Sequence, residues 1–148
     1  MPIPKSVVKI KRNGVEFVSN VDRAQYTIAE LSRAALRDSA KLVRRRMLDE
    51  GRKLKNHKRG RRMPNSFQFW LRRREGDLQI GIKHNTWYGV EQELGTNNQP
   101  KRAILRRSVF ENIDQIRIIQ GKYLSAIEDD NRARGLIDED EAVGDDRD

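Results

Sequence analysis

Four side chains in this 148-residue chain stand out as candidates for hydrolytic chemistry: His57, His84, Glu91 and Glu93. Set beside a basic surface, His84, Glu91 and Glu93 are the groups a nuclease would use as metal ligands or as acid and base. Their spacing does not assemble that site. Glu91 and Glu93 stand two apart, which puts both carboxylates on one side of an extended segment and splays them on a helix. His57 falls in a basic block and His84 at the end of a β-patterned run. The chain has no cysteine, no glycine-rich phosphate loop, no His-Glu metal spacing and no Gly-x-Ser-x-Gly elbow. The expectation is a protein that is not an enzyme, with no catalytic residue, metal or cofactor.

Charge says more. The formal net charge is +9, but it is unevenly distributed. From Glu128 to Asp148 there are ten acidic residues against Arg132, Arg134 and Arg147, a balance of −7, so residues 1 to 127 carry +16. Arg52, Lys53, Lys55, Lys58, Arg59, Arg61 and Arg62 crowd into one hydrophilic block, ahead of Pro64 and Asn65. Such a block repels itself and has little apolar surface to bury, so residues 52 to 65 are expected to form a mobile loop. Its candidate ligands are the phosphates of DNA, bound by counterion release without sequence preference, or an acidic partner surface. A solvated loop with no ligand is the plain alternative.

The surrounding elements follow from periodicity. Residues 7 to 18 alternate around Asn13-Gly14, the pair that suits a type I′ turn, and so read as a β-hairpin arm within residues 1 to 20. From about Asp22 to Glu50, Ile28, Leu31, Ala35 and Leu42 recur at helical spacing, with Leu36, Ala40, Val43 and Met47 widening the stripe. Asn20 or Asp22 can cap this helix and Gly51 can end it, while Arg44, Arg45 and Arg46 complement its dipole. Residues 66 to 73 and 78 to 83 predict two strands joined at Glu75-Gly76-Asp77, with Leu78, Ile80 and Ile82 on one face. A last helix is expected from about Lys101 to Glu128, with Leu105, Val109, Ile113, Ile116, Tyr123 and Ile127 on one side and Phe110, Ile119 and Leu124 broadening it. Residues 129 to 148 are polar and acidic and are expected to be disordered until bound. The fold class is α+β: two long helices on a small antiparallel sheet, with residues 21 to 128 as the domain. No apolar run approaches the roughly 20 residues of a membrane span, and the amino terminus lacks a signal-peptide segment, so a soluble protein of the cytoplasm is expected.

Between the strands and the last helix lies a stretch unlike either neighbour, Trp87-Tyr88-Gly89-Val90-Glu91-Gln92-Glu93-Leu94-Gly95-Thr96, followed by Pro100 and Lys101-Arg102-Ala103-Ile104-Leu105-Arg106-Arg107. Gly89 and Gly95 offer backbone freedom, and Trp87, Tyr88, Val90 and Leu94 can hold a turn against a core, so a packed turn is expected. The positions Tyr88, Glu93, Leu94, Gly95, Thr96, Pro100, Arg102, Ile104, Leu105 and Arg106 resemble a motif of the tail-completion or head-to-tail joining proteins of long-tailed double-stranded-DNA bacteriophages. Where that family has an aromatic residue before Gly-Thr, and an aromatic residue and a second proline near the start of the terminal helix, this chain has Leu94, Ile104 and Arg107. The order helix, strand pair, motif, helix is similar across roughly residues 22 to 128.

The resemblance implies a structural virion protein, assembled in the host cytoplasm, in the neck ring that joins the DNA-filled head to the tail. It implies a homo-oligomeric ring, six-fold by analogy, with a head-side connector or stopper and a tail terminator or tail tube protein as further partners. Tyr88, Glu93, Leu94, Gly95, Thr96, Arg102 and Leu105 would then serve subunit contact, and the basic block could face packaged DNA. The competing expectation is a nucleic-acid-binding protein without sequence specificity, in which Trp70, Trp87 and Tyr88 offer stacking surfaces.

Overall fold

The computed structural model describes residues 8 to 54, 64 to 84 and 86 to 144. It has the α+β character expected: two β-hairpins and five α-helices among the described residues. The chain divides into two compact units, one formed by residues 1 to 34 and 121 to 148, the other by residues 35 to 120.

In the first unit, β1 (Val8–Arg12) pairs antiparallel with β2 (Val15–Ser19), with Arg12 opposite Val15 across a two-residue turn. Asn13 and Gly14 both have positive φ, 52° and 81°, as a type I′ turn demands. Helix α1 (Val21–Arg52) starts here, with the Ala24 N–H donating to the Asn20 carbonyl at 3.0 Å. Leu31 and Ala34 are buried on it, whereas Ile28, expected in the stripe, is 44% exposed. The segment after Gly121 supplies Tyr123 and Ala126, both buried.

The acidic segment expected to be disordered is helical over Asp130–Gly144, as α5. Its start is fixed by Asp129, whose Oδ1 accepts the N–H groups of Asn131 at 3.0 Å and Arg132 at 3.2 Å. An aspartate at that place satisfies two of the four donors a helix start leaves open. Ala133, Leu136 and Ile137 recur at three, then one, and are buried, so the segment carries an apolar stripe despite its charge.

The second unit holds the larger core. Val43 and Met47 from α1, Phe67 and Ile104 form its buried centre, and Leu48, Leu54, Ile80, Ile82, Leu105, Val109 and Ile116 pack around them. β3 (Phe67–Arg72) and β4 (Asp77–Ile82) pair antiparallel, with Phe67 opposite Ile82 and Phe69 opposite Ile80. The two hairpins are separate two-stranded sheets, so the N-terminal one does not extend the other. Helix α1 runs one residue past Gly51, and Arg44, Arg45 and Arg46 lie more than a turn from its end. The dipole effect fades within the last turn, so it does not account for them. Arg44 instead donates from Nε to the Phe67 carbonyl at 3.3 Å, and Arg46 from Nη2 to Gln115 Oε1 at 3.3 Å.

The last helix is not continuous. It is divided into α3 (Ile104–Phe110) and α4 (Ile113–Leu124). At the join, the Asn112 side-chain amide donates to the Ser108 carbonyl at 3.0 Å, and the Asn112 backbone N–H goes to Val109 at 3.2 Å. A side-chain amide thus takes the carbonyl that the backbone four residues on would use, and the ladder tightens for one turn. Phe110 and Leu124, expected to broaden the apolar side, are 61% and 65% exposed.

Candidate functional site: a pinned connector and a basic cleft

The motif stretch is a short helix followed by a folded connector. Trp87–Leu94 is α2, so Glu91 and Glu93 splay as helical neighbours two apart do. Gly89 does not turn the chain: a Cβ there would lie 2.8 Å from Ile82 Cγ2, and the glycine permits close approach of α2 to β4. Gly95 ends the helix at φ 80° and ψ 161°, a region left almost entirely to glycine, with its N–H donating to the Glu91 carbonyl at 2.8 Å. A Cβ on Gly95 would also sit 2.9 Å from the Lys101 nitrogen.

After Gly95 the chain doubles back. Thr96 and Gln99 exchange backbone hydrogen bonds of 2.9 and 3.1 Å, and the Arg102 N–H donates to the Gln92 carbonyl at 2.9 Å. Gln92 Nε2 donates to Gln99 Oε1 at 2.9 Å. Gln92 is buried, and these bonds tie the end of α2 to the connector at both main chain and side chain.

Glu93 completes the arrangement. Its Oε2 accepts the Leu105 N–H at 2.9 Å and its Oε1 the Arg106 N–H at 3.1 Å. The residue in the N-cap position of α3, Ala103, has no side chain able to cap and sits at φ 48°. A carboxylate from α2 therefore supplies what the local sequence lacks, with charge of the favourable sign for a helix start. Its partners are backbone groups. Among the described residues, no three His, Cys, Asp or Glu side chains converge to hold a metal, and His84 lies exposed in the turn after β4.

Of the motif residues, Glu93, Gly95, Thr96, Arg102 and Leu105 are thus joined by the connector's backbone geometry. Leu94 is left 65% exposed, and Val90, one turn earlier on α2, is 52% exposed. Tyr88 lies on α2. Of the basic block, Arg52 ends α1 and Lys53 follows it, both exposed, while Lys55, Lys58, Arg59, Arg61 and Arg62 lie outside the described residues, as does His57.

The connector also walls a cleft of about 410 Å³. Glu50 lines it from the last turn of α1, Lys53 and Leu54 from just beyond that helix, Pro100, Lys101 and Arg102 from the connector, and Ile104 and Arg107 from α3. Lys53 and Arg107 are each paired, with Glu50 and with Glu111 at 3.0 Å. The hydrogen bond from Lys53 holds the Glu50 carboxyl below its ordinary pKa, and the bond to Glu111 raises the Arg107 guanidinium above its own. Lys101 and Arg102 make no ion pair with a described residue. A second cleft, of about 350 Å³ in the other unit, has Arg23 and Glu128 as its charged groups. Their formal charges sum to zero.

The sequence marked Lys53 and Arg102 separately, one in the basic block and one in the motif, but did not mark the cleft they share. It combines a helix end and a connector some fifty residues apart, and Lys101 reads as an ordinary surface lysine until the chain is folded. No family model, curated protein or solved structure matches the chain.

Proposed function

We propose that this chain is a structural virion protein that forms part of the neck ring joining a DNA-filled phage head to its tail. The observation that supports this reading is the treatment of Leu94. Its backbone lies between two pinned points, the Gly95 N–H bond to Glu91 and the Glu93 carboxylate on α3, yet its side chain is 65% exposed beside an exposed Val90. A rigid bend that spends a glycine and a carboxylate to present two apolar side chains outward suits a surface that another subunit covers. In a ring that contact is heterologous, one face of a subunit meeting a different face of the next, and closure by rotation removes the free faces.

The experiment is electron microscopy of lysates in which a nonsense mutation removes this chain. DNA-filled heads accumulating beside complete but detached tails are the expected result. Normally joined particles would overturn the reading.

A further inference from the structure

The charge of the chain is partitioned along its fold. Residues 35 to 120 contain 21 Lys and Arg against nine Asp and Glu, a net +12, while the remainder has ten against thirteen, a net −3. The second unit is therefore a strongly cationic body.

Within that body, the cleft concentrates cations on a fixed frame. Arg102 is held through its N–H to Gln92, and the Lys101 backbone is packed against Gly95, so two adjacent cations without an ion-pair partner among the described residues stand on a part of the backbone that cannot readily move. Lys53 and Arg107, each already paired with a carboxylate, face the same space, and with Glu50 the lining carries four cations against one anion. An anion arriving here meets charge already in place and loses little to ordering the protein. We infer that this cleft, with Lys101 and Arg102 as its principal contacts, binds the phosphodiester backbone of nucleic acid without reading its sequence.

The extent of the positive surface favours a long polyanion over a short acidic peptide. Arg45, Arg46 and Arg52 on α1, which ends one residue before the cleft's Lys53, and Arg106 on α3, beside its Arg107, are exposed on the same unit. A ligand with one charge per nucleotide can occupy the cleft and continue past it, releasing counterions at each step. This inference does not depend on the ring. It specifies a ligand for one face of the subunit, whichever assembly the subunit enters.

The test is fluorescence anisotropy of labelled random-sequence duplex DNA titrated with the full chain over a range of salt concentrations. Three variants are compared: Lys101→Glu with Arg102→Glu, the neutral pair Lys101→Gln with Arg102→Gln, and, as a charge-matched control on the other unit, Lys11→Glu with Arg12→Glu. Circular dichroism establishes that each is folded, and the neutral pair keeps the test decisive if charge reversal disturbs the connector. Loss of two phosphate contacts should weaken binding at least tenfold and flatten the log–log salt slope by roughly 1.8. The hairpin control should keep the wild-type slope. Equal losses in the cleft and hairpin variants would mean that only bulk charge matters and would overturn the inference. So would polyglutamate displacing the DNA at equal charge concentration through binding that requires Lys101 and Arg102, since the cleft would then be built for an acidic protein. Neither outcome depends on whether heads and tails fail to join in lysates.

Discussion

Glu93 and Leu105, twelve residues apart, are joined by a 2.9 Å hydrogen bond from the Leu105 N–H to Oε2, and this bond starts a helix whose own N-cap residue, Ala103, cannot. Replacing Glu93 with Ala removes both acceptors and should destabilise the protein by about 1 to 2 kcal/mol, in the range of lost helix caps. Glu93→Gln keeps one carbonyl oxygen and should lose less. Urea unfolding followed by circular dichroism measures both, and equal stability of all three proteins would mean the cap contributes nothing.

The connector contains two left-handed residues with opposite forecasts. Gly95→Ala forces a Cβ onto φ 80° and against the Lys101 backbone, and should cost about 1 to 3 kcal/mol. Ala103 already holds φ 48°, a conformation that penalises any Cβ, so Ala103→Gly should stabilise by about 0.5 to 1 kcal/mol. Thermal unfolding of the two variants should therefore move in opposite directions, and a shared direction would contradict the geometry.

At the β3–β4 turn, Arg72 grips Asp77 with Nε at 2.7 Å and a second bond from Nη2. That hydrogen-bonded pair holds the Asp77 carboxyl below the usual carboxylate range and raises Arg72. A carboxylate with a lowered folded-state pKa contributes stability that is present above its unfolded pKa and lost as pH falls through the folded one. The contribution is small, since both groups are exposed to solvent. Carboxyl-carbon NMR should find Asp77 ionised to lower pH than an ordinary aspartate, and Arg72→Gln should return it to the ordinary range.

Leu94→Lys tests the apolar surface. The side chain is mostly in water in the isolated chain, so stability should stay within about 0.5 kcal/mol of wild type. On the proposed ring role, self-association measured by sedimentation should fall sharply, and a lysate complemented with the variant should leave heads and tails apart. Unchanged association would count against Leu94 as the contact of the proposed ring.

Much of the architecture was legible because it is written in local patterns. The Asn13-Gly14 turn, the α1 stripe through Leu31, Ala35, Val43 and Met47, and the alternation of β4 each reflect a period that neighbouring residues impose on one another. The α5 helix was written there too, in Asp129 and the buried Ala133, Leu136 and Ile137, but high charge density made the segment resemble a disordered tail. Charge reports the exposed face of a helix, and a narrow stripe is enough to bury the other.

The sequence by itself determined the α+β class, the two hairpins, the long helix α1, the basic body and the residues that make the motif resemble a phage joining protein, but not the helix at the motif, the break between α3 and α4 or the helix α5. It did not determine what those residues do. That Glu93 caps α3, that Gln92 holds Arg102, and that Lys101 and Arg102 face Lys53 across a cleft were decided by the tertiary structure alone. The physical reason is that each depends on backbone groups brought together by a reversal of the chain. A carboxylate finds its N–H donors, and a cation its neighbours, through the path of the fold and not through their spacing along it.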